Sequence, residues 1–160
     1  MPRNKVDVAA ILGGQLAKVS DSDTETRWIE TDKILHNKRN FYPRPTNLQL
    51  SDLADSIKAN GILEPPTVVA DEEAGCYRLI SGHSRMEAVR LLQSQEPDNP
   101  AYQKILCRVL PPMDEATELS AVIEANRQRI KSDALLAREA QALTEAYIKR
   151  REAGEELPGR

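Results

Sequence analysis

The chain has 160 residues, enough for one ordinary domain with an extension, and its 40% hydrophobic and 29% charged residues are the balance of a water-soluble fold. No apolar run approaches the roughly 18 residues that span a bilayer, and Gly13-Gly14 interrupts the run from Val8 to Leu12 too soon for a signal peptide, which points to the cytoplasm. A net charge of -3 and a pI near 5.5 exclude a whole-surface nucleic-acid binder, although Arg127, Arg129, Lys131, Arg138, Lys149, Arg150 and Arg151 gather positive charge in the last third. Such a stripe serves equally to neutralise phosphates or as a solvated helix face.

In chain order, residues 1–27 read as a flexible arm that ends in the polar, acidic run Ser20 to Glu25. Trp28 to Ile34 reads as a first strand, and the prolines of Phe41-Tyr42-Pro43-Arg44-Pro45 forbid regular structure after it. A helix follows, with Ser51 as its N-cap, Leu53, Ala54 and Ile57 as its apolar stripe and Gly61 as its stop. Thr67-Val68-Val69 and Cys76 to Ile80 form a hairpin around Asp71 to Gly75. The returning strand runs into Ser81-Gly82-His83-Ser84-Arg85, which opens a second helix capped by Ser84 with Glu87, or by Ser81. Ile105 to Leu110 is a further strand. Helices are expected over Glu115–Asn126 and from about Ala134 to Arg151, the second capped by Ser132 or Asp133, and Glu155 to Arg160 reads as a linker.

Cys76 and Cys107 show no CxxC spacing, and a zinc site of about four ligands could add only His36 and His83 at awkward positions. Two reduced core thiols are the expectation. Three segments could carry chemistry. At Ile80 to Arg85 a glycine lets backbone approach a ligand, and the next N–H groups point out of the helix without internal partners. That is an anion site, and the Arg85 guanidinium could grip a phosphate bidentately; a plain tight turn uses the same residues. Asn126-Arg127-Gln128-Arg129 could touch phosphate, sugar or base edge, or simply connect two helices. Gly61-Ile62-Leu63-Glu64-Pro65 is a helix stop before a strand.

Taken in order, Asp55 to Gly61, Glu64-Pro65, Tyr77 to Ala88 and Asn126 to Arg129 resemble the amino-terminal domain of the ParB/sulfiredoxin-like superfamily, over about Trp28 to Gln141. Gly61 and Pro65 match its Gly-x-x-Gln-Pro box, with Glu64 in place of the glutamine. Gly82 and Arg85 match its Gly-Glu-Arg-Arg box, with His83 and Ser84 as departures. Asn126, Gln128 and Arg129 match its Glu-Asn-x-Gln-Arg box, with Ala125 in place of the glutamate. The resemblance implies an α+β fold, a small mixed sheet with helices followed by a helical carboxy-terminal extension. Its parts would be the arm (1–27), the core (28–112), and the extension with a linker towards a helix-turn-helix (113–160), no such motif being legible within the chain.

The same resemblance implies a partition or mobile-element maintenance module, nucleoid- or plasmid-associated, that binds CTP with magnesium. Its pocket would use Gly61, Glu64, Pro65, Gly82, His83, Ser84, Arg85, Asn126 and Arg129. Arg127, Lys131 and Arg138 are the DNA-contact candidates. Nucleotide would close a homodimer on DNA, and a ParA-type ATPase would be a partner through the arm. Two alternatives stand beside this expectation. A nuclease or NTP hydrolase would need carboxylates gathered on a metal, with Glu64, Glu87 and Glu124 as candidates, or His83 as acid or base. A protein-interaction module would keep the fold without the pocket. Sulfiredoxin chemistry needs a cysteine where His83 stands.

Overall fold

The computed structural model describes residues 24–154. The arm up to residue 23 and the linker-like residues 155–160 lie outside the described residues. Two compact units divide the described residues, one over 24–112 and the other over 113–154.

The first unit runs β1 (Glu25–Glu30), a 3-10 turn (Thr31–Lys33), β2 (Ile34–Leu35), α1 (Asn47–Asn60), β3 (Thr67–Asp71), β4 (Cys76–Ser81), α2 (His83–Gln95), a second 3-10 turn (Pro100–Tyr102) and β5 (Lys104–Leu110). The strands form one five-stranded sheet in the order β1-β5-β3-β4-β2. β1 with β5 and β3 with β4 are antiparallel, whereas β3 with β5 and β2 with β4 are parallel, so the sheet is mixed, as expected. Neither parallel pair is consecutive in the chain: α1 joins β2 to the oppositely directed β3, and α2 joins β4 to the oppositely directed β5. Ile29, Val68, Leu79, Ile105, Cys107 and Val109 share one buried cluster with Ala54 and Ile57 of α1 and Met86, Ala88, Val89 and Leu92 of α2. Two helices therefore cover one face of the sheet, and burial of that apolar surface is the main force holding the unit together.

Several boundaries differ from the sequence expectation. The first strand starts at Glu25 and ends at Glu30. There Thr31 turns the chain away by donating its N–H to the Gln103 carbonyl at 2.9 Å and its hydroxyl to the Tyr102 carbonyl at 2.7 Å. Helix α1 starts at Asn47, four residues before Ser51. Thr46 is its cap, accepting from the Gln49 amide at 3.2 Å while the Gln49 side chain accepts from the Thr46 amide at 3.0 Å. Helix α2 is capped by Gly82 itself, with no side-chain bond from Ser81 or Ser84. Cys107 is buried, and burial pushes its thiol up to about 11, whereas Cys76 is only partly buried at the hairpin; neither is in a disulfide.

The second unit is a helical hairpin of α3 (Glu115–Ala125) and α4 (Asp133–Glu152). Asp114 caps α3, and Ser132 caps α4 through the Leu135 amide. Arg150, near the end of α4, reaches back to Asp114 at 2.8 Å and to the Thr117 hydroxyl at 2.7 Å, so the helices run antiparallel. Burial alone would raise the Asp114 carboxyl, but bonds from Thr117 and Arg150 outweigh it and hold the group below its usual range. At the other end Lys131 and Glu139 pair at 2.7 Å with both side chains about nine-tenths buried.

Candidate phosphate-binding site

The first unit's site is a turn between a buried strand and a buried helix. β4 ends at Ser81, whose backbone pairs with Thr67 of β3, and this register sets Gly82 directly over Pro66. Gly82 has φ 93° and ψ 23°, a left-handed conformation that side chains rarely adopt. A Cβ added there would stand 3.0 Å from Pro66 Cβ and 3.3 Å from Arg85 Cζ, so glycine is required by both backbone and space. The first α2 bond runs from the Met86 amide to the Gly82 carbonyl at 2.9 Å. The amides of His83, Ser84 and Arg85 precede it at the positive end of the helix dipole, with no capping side chain from Gly82.

Arg85 lies across this turn. Its guanidinium donates to the Glu64 carbonyl and, at 3.4 Å, to Ser81 Oγ, and it stands 3.7 Å from the Glu64 carboxylate. Glu64, Ser81, Gly82 and Arg85 are thus brought together. The backbone enters from Gly61, whose N–H is bonded to the Ile57 carbonyl at 2.8 Å, and continues through Pro65. His83 begins α2, and its ring centroid lies 4.7 Å from that of His36, with the planes inclined by 52°.

His36 introduces residues that the sequence reading left outside the site. The loop between β2 and α1 is tied to α2 by an ion pair of Arg44 with Glu87 at 3.6 Å, and Arg90 donates to the Ile34 carbonyl. Within it Asn37 is fully buried and its side-chain oxygen accepts from the Arg39 amide. Burial is the largest influence on the His36 imidazole and lowers its proton affinity; Arg44 and Arg90 act in the same direction, and Glu87 opposes them. Arg44 and Arg90 therefore add positive charge near His36. The signal that could have found Arg44 is the density of asparagine, arginine and proline from Asn37 to Pro45, too rich in polar groups for a plain connector.

The third box belongs to the second unit. Asn126 ends α3, donating its side-chain amide to the Val122 carbonyl at 2.8 Å and accepting from Arg129 at 3.1 Å, so Asn126 and Arg129 are joined. Of the DNA-contact candidates, Arg127 is exposed and pairs with Glu124, Lys131 is held by Glu139, and Arg138 is exposed on α4. The carboxylates of the nuclease alternative stand next to arginines: Glu64 beside Arg85, Glu87 beside Arg44, Glu124 beside Arg127. Among the described residues no three His, Cys, Asp or Glu side chains gather to hold a metal ion.

Residues 15–127 match the family model of the ParB N-terminal domain. A nucleoid occlusion protein of Bacillus pumilus (strain SAFR-032) is 32% identical over 124 residues, which cover 74% of this chain and 39% of that protein. The chain thus spans about two-fifths of that relative's length. Among solved structures, a Pnob8-like ParB-N domain superposes with a TM-score of 0.60 at 14% identity, over 81% of this chain and 50% of that one. The C-terminally truncated chromosome-partitioning protein ParB from Caulobacter crescentus, complexed with CTP-gamma-S, gives 0.51 at 21% identity, over 77% and 64%. At these identities the solved structures establish the shared α+β fold.

Proposed function

We infer that this chain, which belongs to the ParB N-terminal domain family, is the nucleotide-binding module of a partition, nucleoid-occlusion or mobile-element maintenance protein. The observation that carries this is the turn at Gly82: a glycine enforced by φ and by Pro66, the first turn of α2 opening directly after it, and Arg85 lying across it. Backbone amides at a helix N-terminus with an adjacent guanidinium suit phosphate better than any other common ligand. CTP is the proposed nucleotide, because the Caulobacter relative was crystallised with CTP-gamma-S. The amides of the first turn of α2 and the Arg85 guanidinium would hold the phosphates, with Glu64 and Pro65 at the mouth. Magnesium would supply charge neutralisation and is bound largely through phosphate oxygens and water, so it needs no cluster of protein carboxylates.

In the whole protein the module would answer nucleotide by dimerising on DNA, with Arg127 and Arg138 as contacts and a ParA-type ATPase as partner. Nucleoid or plasmid association would follow. No helix among the described residues is long and apolar enough to cross a membrane. Calorimetric titration with CTP, ATP and GTP, each with and without magnesium, tests the pocket. Binding of one nucleotide by the wild type that weakens at least tenfold in Arg85→Ala is the expected result. No binding of any of the three at millimolar concentration would overturn the proposal and leave a protein-interaction module.

A further inference from the structure

His36 sits where a residue of the β2–α1 loop can sense what occupies the α2 turn. Its ring lies 4.7 Å from that of His83, the first residue of α2. The two ring planes are inclined by 52° and so are tilted, not stacked. His36 is itself fixed, with Nδ1 3.1 Å from the Asn37 carbonyl. That carbonyl accepts only, so Nδ1 carries the proton and Nε2 of neutral His36 is the basic nitrogen. The charged groups facing it are Arg44 from its own loop and Arg90 and Glu87 from α2. Burial first, and then these two guanidiniums against one carboxylate that is itself paired with Arg44, lower the proton affinity of the imidazole.

We propose that His36 is a positioning residue of the phosphate site, steering the His83 ring and coupling the arrival of a polyphosphate to the uptake of one proton by the imidazole pair. This rests on the proposed role of the Gly82 turn as a phosphate site. A polyanion at the α2 N-terminus offsets the charge of Arg44 and Arg90, which removes the electrostatic obstacle to an imidazolium. Linkage is reciprocal: a ligand that draws a proton onto the pair is bound more tightly when the proton is already there. The pair then supplies part of the positive charge that Ser84 does not. The site would prefer polyphosphate at mildly acidic pH, and a neutral or singly charged ligand would show no such preference.

The test is calorimetric titration of the full chain with inorganic tripolyphosphate at pH 6, 7 and 8, in buffers of different ionisation enthalpy. The wild type is expected to bind roughly a hundredfold more tightly at pH 6 than at pH 8, one linked proton changing affinity by one decade per pH unit. The buffer dependence should report close to one proton taken up near pH 7. His36→Gln and, separately, His83→Gln should reduce the pH ratio and the proton count to those of the ligand's own titration, whatever their absolute affinities. Equal pH ratios in wild type and both variants would overturn the proposal, and so would no binding of tripolyphosphate at any of the three pH values. CTP binding that is lost in Arg85→Ala but carries no histidine-linked proton would sink this inference alone and leave the nucleotide pocket standing.

Discussion

Gly82 and Pro66 are in such close approach that a single methyl group on Gly82 would stand 3.0 Å from Pro66 Cβ. The β4–α2 turn is thereby fixed by β3, the strand next to it. Gly82→Ala should destabilise the protein by about 2 kcal/mol or more, adding a steric overlap to the cost of a left-handed alanine. Gly75, with φ 65° and no atom within 4 Å of an added Cβ, is the control; alanine there should cost about 1 kcal/mol. Urea unfolding of the two variants measures the difference. Equal costs would mean that Pro66 yields and that the turn is not held from the sheet side.

The start of α1 makes a second prediction. Thr46 and Gln49 exchange reciprocal bonds, whereas Ser51 lies within the helix and is exposed. Thr46→Ala should lower stability by about 1 kcal/mol. Ser51→Ala should be neutral or raise it by up to about 0.5 kcal/mol, since alanine is the better residue inside a helix. Reversed effects would place the cap at Ser51.

That difference shows what was legible in the sequence. Ser51-Asp52 before the apolar stripe is a sound local cap pattern, and so is Thr46 with Gln49; choosing between them depends on where Pro45 leaves the chain. The turn at Gly82 was legible because strand, glycine and helix are contiguous there. The surroundings of His83 were not, because they depend on a strand of two residues, Ile34 and Leu35, pairing with Tyr77 and Arg78 of β4. Neither periodicity nor propensity marks so short a strand, yet it delivers His36 and Arg44 to the α2 turn. The α+β class survived these errors because it depends on the order of elements rather than on their ends.

His36 also predicts a pH dependence of stability. Burial, reinforced by Arg44 and Arg90, depresses its proton affinity in the folded state. In the unfolded chain an imidazole titrates near about 6.5. Between these two values the unfolded state binds more protons, so stability falls as pH falls. The His36 contribution is full above about pH 6.5 and is lost as pH drops through the folded value. His36→Gln should flatten the decline in melting temperature on going from pH 7 to pH 5. An unchanged slope would mean that His36 is as easily protonated in the fold as in the open chain.

The last prediction separates structural from ligand-binding charge in the second unit. Lys131 and Arg127 are both basic residues of the segment after α3, and composition alone ranks them equally as contacts for DNA. Lys131 is paired with Glu139, and both side chains are about a tenth exposed, whereas 70% of the Arg127 side chain is open to water. Removing one member of an enclosed pair strands the other's charge, at a cost of about 3 kcal/mol. Lys131→Met should therefore destabilise the α3–α4 hairpin by that amount, and adding Glu139→Leu should recover most of it, because an apolar pair of similar volume needs no compensating charge. Arg127→Ala should leave stability within about 0.5 kcal/mol of wild type, as exposed pairs do. Hydrogen exchange of the α4 amides reads the hairpin directly. If Lys131→Met leaves that exchange unaltered, the pair is a surface contact, and Lys131 becomes as available to a nucleic acid as Arg127.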